Sequence, residues 1–184
     1  APGKDDTCGN RFGQQLGSLP QGYDHKYVYS HLGYNLKITD MQAACGLAQL
    51  DSLDSFIEKR RSNFQYFSNR LSTLSEFIEL AEPTPGSDPS WFGFPITVKE
   101  TAGVKRVDLV KYLDQFKIGS RLLFAGNLIN QPYFQGIEYR ISGELINTDR
   151  VMNNTFWLGV QPTLGEEHYN FVAGKLEEFF GVNF

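Results

Sequence analysis

The feature that most constrains this chain is a change of pattern at Thr39. Ahead of it, residues 1–32 are rich in Gly, Tyr and charge and show no apolar period. Thr39 and Gln42 have the spacing of a capping box, in which each side chain bonds a free backbone N–H at the start of a helix. The sequence therefore predicts a looped arm over residues 1–38 and a helix that opens one folded region over 39–184.

Two helices are predicted after Thr39. The first runs to about Ser52 and has a broad apolar face that suits a subunit interface. The second has an apolar stripe that steps by four and three residues, which is typical of a helix packed on a core. The stripe consists of Leu53, Ile57, Phe64, Phe67, Leu71 and Leu74, with Arg60 as the polar residue in the register.

The remainder alternates strands and helices. Strands are predicted at 90–98, 118–124 and 155–160, and helices at 106–116, 145–153 and 166–180. We expect the side chains of Phe92, Phe94, Ile96 and Val98 to share one apolar face. Pro95 has no N–H to donate, which predicts that its strand lies at a sheet edge or carries a bulge. The fold class predicted is α+β, a small, mainly antiparallel sheet covered by helices in two layers.

Composition limits the kinds of partner. The chain has 184 residues, 41% of them apolar, which suffices for one hydrophobic core. Its 17 basic and 21 acidic residues are interspersed, so neither nucleic acid nor membrane is an expected partner. The start at Ala1 resembles neither a signal peptide nor an initiator, so we expect further residues upstream. With only two cysteines in the chain, a reducing, cytoplasmic location is expected.

Some polar residues suggest chemistry. Asn35 and Lys37 stand just ahead of the predicted helix, where an amide, a cation and free N–H groups suit a phosphate, although composition alone favours an ordinary solvated helix start. Asp24, His25, Ser30 and His31 are not expected to form a hydrolytic triad, because triads draw residues from separate elements of a rigid scaffold and no nucleophile-elbow motif is present.

The two cysteines differ in setting. Cys45 lies among apolar residues of the first helix, which predicts a buried, inert thiol. Cys8 lies in a polar loop, which is unusual for cysteine and suggests a metal or a chemical role. No disulfide is expected.

The residues around the helix start carry a resemblance. Residues 29–44, YSHLGYNLKITDMQAA, resemble the GYN-x-(K/R)-x-(T/S)-(D/E)-x-Q-A-A signature of the vitamin-B6-dependent nucleotide-sugar aminotransferase and dehydratase family (DegT/DnrJ/EryC1/StrS), of fold type I. With the cysteine-bearing loop upstream, the string is similar to the CDP-4-keto-6-deoxy-D-glucose 3-dehydrase branch of lipopolysaccharide O-antigen synthesis. The resemblance covers the whole chain.

The resemblance implies cofactors and residue roles. The family uses pyridoxamine or pyridoxal 5'-phosphate, and this branch adds a 2Fe-2S cluster held by four thiolates. Cys8 matches one of these four ligands, and the cofactor pocket is expected in a large domain upstream, so this chain by itself is expected to hold neither the cluster nor the cofactor. Asn35 matches the residue that reaches the cofactor phosphate of the neighbouring subunit, and Lys37 occupies a nearby cationic place. The catalytic base is expected upstream of Ala1, and this chain is expected to contain no catalytic residue.

The resemblance also implies substrate contacts. Phe92 stands where related aminotransferases often carry a His near the substrate, so its ring is expected to pack on the cofactor or sugar, unless it belongs to the core. Arg121, Asn127 and Gln131 lie on the strand and loop that close over the nucleotide sugar in the family. They are expected to bind diphosphate or hydroxyl groups.

The function implied is therefore that of a C-terminal domain in a CDP-4-keto-6-deoxy-D-glucose 3-dehydrase that makes 3,6-dideoxyhexoses. The implied partners are a CDP-sugar substrate, a second copy in a homodimer with shared active sites, and a reductase. Two alternatives remain open: a B6-dependent nucleotide-sugar aminotransferase, and a dimerisation module without catalytic activity.

Overall fold

The computed structural model describes residues 36–134 and 136–182. It also describes positions 13, 15, 17, 18, 20, 21 and 34, and of Tyr133 the backbone alone. The chain forms two units, residues 1–46 and 47–184.

Helix α1 (Asp40–Leu50) begins at the predicted capping box. The Thr39 N–H donates to Gln42 Oε1 over 3.0 Å, and the Gln42 N–H donates to Thr39 Oγ1 over 3.3 Å. The two side chains thus satisfy donors that the helix leaves free in its first turn. Every α1 residue is exposed, including Cys45, so the prediction of a buried thiol is wrong for this chain.

Helix α2 (Leu53–Leu71) supplies one wall of the core, and a short 3-10 turn (Ser72–Leu74) continues it. Phe64, Phe67 and Leu71 are buried, as the stripe predicts, whereas Leu53 is 46% exposed. The other helices of the second unit are α3 (Arg106–Gln115), α4 (Ile146–Asn154) and α5 (Glu166–Phe180), each within one residue of its predicted start.

Within the described residues, four strands form one antiparallel sheet in the order β1-β2-β4-β3. The strands are β1 (Ile78–Leu80), β2 (Gly93–Val98), β3 (Arg121–Leu122) and β4 (Thr155–Gly159). The predicted α+β fold of helices on an antiparallel sheet is confirmed. The pattern missed β1, a three-residue strand too short to show a period, and overextended β3.

The core lies between one face of this sheet and helices α2, α3 and α5. Its fully buried large side chains come from all these elements: Phe67, Leu71, Phe94, Ile96, Leu109, Leu113, Phe156 and Leu176. Burial alternates along β2, with Phe94, Ile96 and Val98 inside. The opposite face of β2 and β4 does not pack against the core and is available for other contacts.

Two predictions for β2 are wrong. Pro95 lies in an interior strand, but β1 reaches no further than Ile96, so Pro95 pairs with Trp157 of β4 alone and is locally at an edge. Phe92 is not part of the apolar face. Trp91 takes the inner side instead, stacked on Phe64 at 3.9 Å between ring centroids, and Phe92 is 69% exposed.

Candidate functional site on the open face of the sheet

The outer face of the sheet is defined by its register. Gly93 and Pro95 of β2 lie opposite Gly159 and Trp157 of β4, and Arg121 of β3 lies opposite Trp157 on the other side. Directly opposed residues of an antiparallel pair share a face. Pro95, Trp157 and Arg121 therefore form a row across three strands.

Aromatic rings line a shallow groove of about 200 Å³ on this face. The Phe92 ring packs against the Trp157 indole at 5.1 Å between centroids, with the rings tilted by 52°. Phe124 lines the same groove, is 77% exposed and has a positive φ of 52°, which is unusual for a residue other than glycine. Exposed rings in a concave setting suit an apolar or planar ligand surface.

Arg121 adds a cation to the outer face of the sheet. Its side chain is exposed, and one guanidinium nitrogen donates to the Ser120 carbonyl over 3.1 Å. An arginine fork has five donors, so donors remain for an anionic group. The structure thus brings two of the predicted residues, Phe92 and Arg121, to Trp157, a residue for which the sequence predicted no role.

Asn127 and Gln131 hold the loop that follows β3. Asn127 is only 3% exposed, donates to Asp149 over 2.7 Å and accepts from the Ile129 N–H over 3.3 Å. Gln131 donates to the Ala125 carbonyl over 2.7 Å. The Asn127 amide is thus largely engaged inside the protein, in a manner that fixes the loop beside the aromatic groove.

Asp149 of α4 is the anchor of this loop, and no sequence pattern indicated it. Its Oδ1 accepts from both Asn127 and Asn130, the latter over 3.3 Å. Gly126 passes so close to α4 that a Cβ there would lie 2.5 Å from Met152 Cγ. Its φ of +64° also favours glycine. The loop therefore follows a path set by α4.

Arg106 fixes the end of α4 against the sheet. Its Nη1 donates to the carbonyls of Met152 and Thr155, over 2.7 and 3.1 Å. These carbonyls belong to the end of the helix, where a cation is favourable. Burial lowers the pKa of the Arg106 guanidinium from its ordinary value.

Lys37 belongs to the first unit. It is exposed and lies two residues ahead of the Thr39 cap. The capping box engages the N–H groups of Thr39 and Gln42, so those of Asp40 and Met41 remain for another acceptor. A cation beside free helix-start donors fits a phosphate group, although the Asp40 carboxylate adds an opposing charge.

Two of the predicted cofactor and cluster ligands cannot be located in the structure. Cys8 and Asn35 lie outside the described residues. Within the part of the chain that the structure describes, no cluster of His, Cys, Asp or Glu is arranged to hold a metal ion, and no helix is long and apolar enough to cross a bilayer.

Known proteins resemble this chain over its whole length. It is 68% identical over 184 residues to the lipopolysaccharide biosynthesis protein RfbH of Salmonella typhimurium, covering 42% of that protein. It is 47% identical over 178 residues to the dTDP-4-dehydro-2,6-dideoxy-D-glucose 3-dehydratase of Saccharopolyspora spinosa, covering 97% of this chain and 38% of that protein. The chain thus spans less than half the length of these relatives.

Solved structures and a family model agree with these relatives. A GDP-4-keto-6-deoxymannose-3-dehydratase variant with bound GDP-perosamine superposes with a TM-score of 0.74 at 26% identity, over 88% of this chain and 41% of that one. The Escherichia coli GDP-4-keto-6-deoxy-D-mannose-3-dehydratase with bound hydrated PLP gives 0.73 at 26% identity, over 82% and 38%. The model of the DegT/DnrJ/EryC1/StrS aminotransferase family matches residues 12–177. A match over so much of the sequence, together with this small-domain fold, means that the chain belongs to the DegT/DnrJ/EryC1/StrS aminotransferase family.

Proposed function

We propose that this chain is the C-terminal part of a B6-dependent nucleotide-sugar 3-dehydratase that removes the C3 hydroxyl of CDP-4-keto-6-deoxy-D-glucose. The observation that carries the proposal is the 68% identity to RfbH over all 184 residues, joined by 47% identity to a sugar 3-dehydratase. Identity of this extent over a whole domain supports a shared reaction class. The CDP group is the narrower part of the proposal and rests on the resemblance of residues 29–44 and the Cys8 loop.

The cofactor proposed is pyridoxamine or pyridoxal 5'-phosphate. The donor set at the start of α1 fits its phosphate, because the exposed Lys37 precedes by three and four residues two helix-start N–H groups that the capping box leaves unengaged. Asn35 would add an amide donor across the subunit interface. The cofactor, when bound, supplies the electron-withdrawing ring on which C3 deoxygenation depends. Lys37 and Asn35 hold and orient its phosphate.

The substrate is proposed to bind on the open face of the sheet. Phe92 offers an exposed ring for the apolar face of the sugar, and Arg121 offers guanidinium donors for the diphosphate. Asn127 and Gln131 act by fixing the loop beside these groups, and the Gln131 amide keeps a second donor for a sugar hydroxyl. The roles proposed are therefore substrate binding for Phe92 and Arg121 and positioning of the loop for Asn127 and Gln131.

The whole enzyme needs further parts under this proposal. Cys8 would be one of four thiolates around a 2Fe-2S cluster, with the other three ligands and the catalytic base in the preceding domain. The cluster would accept electrons from a reductase partner. A homodimer would let Asn35 of one subunit serve the site of the other.

A product assay separates this function from its alternatives. The protein carrying this chain at its C-terminal end is incubated with CDP-4-keto-6-deoxyglucose, B6 cofactor, a reductase and NADH, and the product is analysed by mass spectrometry. We expect a sugar that is one oxygen lighter and lacks its C3 hydroxyl. The dTDP- and GDP-linked sugars serve as controls for the nucleotide.

Other outcomes have clear meanings. A glutamate-dependent amino sugar would replace the dehydratase proposal with an aminotransferase. Turnover of the dTDP or GDP sugar in preference to the CDP sugar would refute the nucleotide assignment alone. No consumption of any of the three sugars, with cofactor shown to be bound, would favour a dimerisation module.

A further inference from the structure

We propose that Trp157 is a positioning residue of this site: its indole is the fixed wall that holds the Phe92 ring against the substrate sugar, and Gly93 is the residue that makes room for it. The inference rests on the proposed function for the identity of the substrate. The arrangement of the three residues stands on geometry alone.

Gly93 is required by the indole. An ideal Cβ at position 93 would lie 2.4 Å from Trp157 Cε3 and 3.0 Å from Cδ2, far inside van der Waals contact. The obstructing atoms belong to a rigid bicyclic ring, so the ring as a whole would have to move. The indole of β4 therefore lies across the β2 backbone, at the point where β2 begins.

The indole is held from its other side as well. Its Nε1–H donates to the Leu122 carbonyl of β3 over 3.1 Å. The ring thus bridges three strands, with β2 beneath it and β3 bonded to it. A side chain fixed at both ends has little rotamer freedom, which suits a supporting surface better than a mobile gate.

Phe92 depends on this wall for its position. It lies outside β2 and is 69% exposed, and its one ring contact in the described chain is with Trp157, at 5.1 Å. Exposed aromatic rings normally sample several rotamers, so a single packed orientation needs a fixed neighbour. Core stability does not explain the pair, because the buried aromatics Phe94 and Phe156 occupy the opposite face.

A label at Phe92 reports its position without any turnover. With 4-fluorophenylalanine incorporated at position 92, the indole ring current shifts the ¹⁹F resonance from that of a solvated ring. We expect Trp157→Ala and Gly93→Ala each to move this signal toward the solvated position, and Trp157→Phe to do so partly. Gly159→Ala is the matched control, because Gly159 pairs with Gly93 across the sheet and a Cβ there meets nothing within 4 Å. An unchanged signal in Trp157→Ala and Gly93→Ala would overturn the inference.

Kinetics test whether the wall serves the substrate. We expect Phe92→Ala, Trp157→Ala and Gly93→Ala each to lower kcat/KM for the nucleotide sugar about 10-fold or more, with Gly159→Ala within about twofold of wild type. The double variant Phe92→Ala/Trp157→Ala should lose no more than the worse single variant, because both act through one ring. Effects that multiply would refute the positioning role. A wild-type protein inactive on every sugar would overturn the proposed function. The ¹⁹F result would still show whether Trp157 holds the Phe92 ring in position.

Discussion

Asn127 is a buried amide whose bonds stay inside the protein. Replacing it with Ala leaves Asp149 with the weaker donor Asn130 and frees the Ile129 N–H. Loss of a buried, charge-assisted bond costs about 1.5–3 kcal/mol, so Asn127→Ala should lower the free energy of unfolding by about that amount in urea titrations.

Gln131→Ala provides the comparison for Asn127. The Gln131 bond to Ala125 is exposed to solvent, so its loss should cost under about 1 kcal/mol. A large increase in substrate KM for Asn127→Ala, with unchanged stability, would contradict the loop-holding role and assign the amide to the substrate.

Tyr169 makes stability depend on pH in alkaline solution. Burial raises the pKa of this phenol to about 12, against the opposing influence of the nearby Asn63 and Arg60. Because the unfolded chain releases the proton first, near pH 10, the free energy of unfolding should fall as the pH rises from about 10 to about 12. The contribution is complete below pH 10.

The measurement for Tyr169 is a set of urea titrations between pH 8 and 12. Tyr169→Phe should show a shallower decline than wild type, and Tyr139→Phe, at an exposed position, should follow wild type. Parallel profiles for Tyr169→Phe and wild type would mean that the phenol titrates normally in the folded state.

At the scale of elements, an ion pair joins α2 to α5. The Arg70 guanidinium makes a bidentate pair with Glu177, whose carboxylate is nearly buried, and this bond raises the pKa of Arg70. The partners differ in exposure, at 33% for the Arg70 side chain and 9% for that of Glu177. Losing the arginine strands a buried charge, whereas losing the glutamate leaves a cation that water reaches.

The difference in exposure between Arg70 and Glu177 predicts that the two single variants lose different amounts of stability. Arg70→Leu should cost about 3 kcal/mol or more, and Glu177→Leu about 1 kcal/mol, in the free energy of unfolding. The double variant should be more stable than Arg70→Leu, because no unpaired charge remains. Equal costs for the two single variants would mean that Glu177 is solvated once its partner is lost.

The spacing of apolar residues predicted the helices that contribute most to the hydrophobic core. Helices α2, α3 and α5 have apolar stripes long enough to reveal 3.6-residue spacing, and the capping box at Thr39 and Gln42 located the start of α1. β1 was missed and β3 was predicted too long, because strands of two or three residues carry no period. Their pairing depends on β2 and β4, which are distant in sequence.

The site was partly predictable for a related reason. Phe92 and Arg121 were singled out through a resemblance, but their common neighbour Trp157 lies 65 and 36 positions away along the chain and meets them only through the register. Asp149 was missed likewise, since an acidic residue on a polar helix face has no pattern of its own. Strand register and loop path are tertiary properties, and a single sequence does not display them.

At the scale of the whole molecule, α1 and the turn into α2 expose many large apolar side chains. Met41, Leu47 and Leu50 are 80%, 69% and 58% exposed, and Leu36 precedes them at 86%. Exposed apolar side chains in this number mark an interaction surface. The homodimer proposed above supplies a second copy as the partner, and Asn35 makes that dimer testable.

Asn35 is the residue through which the proposed dimer contact is tested in the full-length protein. If its amide bonds the cofactor phosphate of the neighbouring subunit, Asn35→Ala removes a bond to a charged group, worth about 1.5–3 kcal/mol. Cofactor affinity should fall roughly 10- to 100-fold, while the melting temperature without cofactor should not change, because the core of α2, α5 and the sheet is untouched.

Mixed dimers decide whether the contact crosses the interface. Subunits with Asn35→Ala are refolded with an equal amount of subunits inactivated at the upstream base, so that about half of the dimers are mixed. In a mixed dimer both lesions fall on one site and the other site is whole, so about a quarter of the wild-type activity should return. Each parent alone remains weak or inactive. If heterodimers form, as tagged subunits would report, and activity does not return, Asn35 serves its own subunit or only the start of the helix.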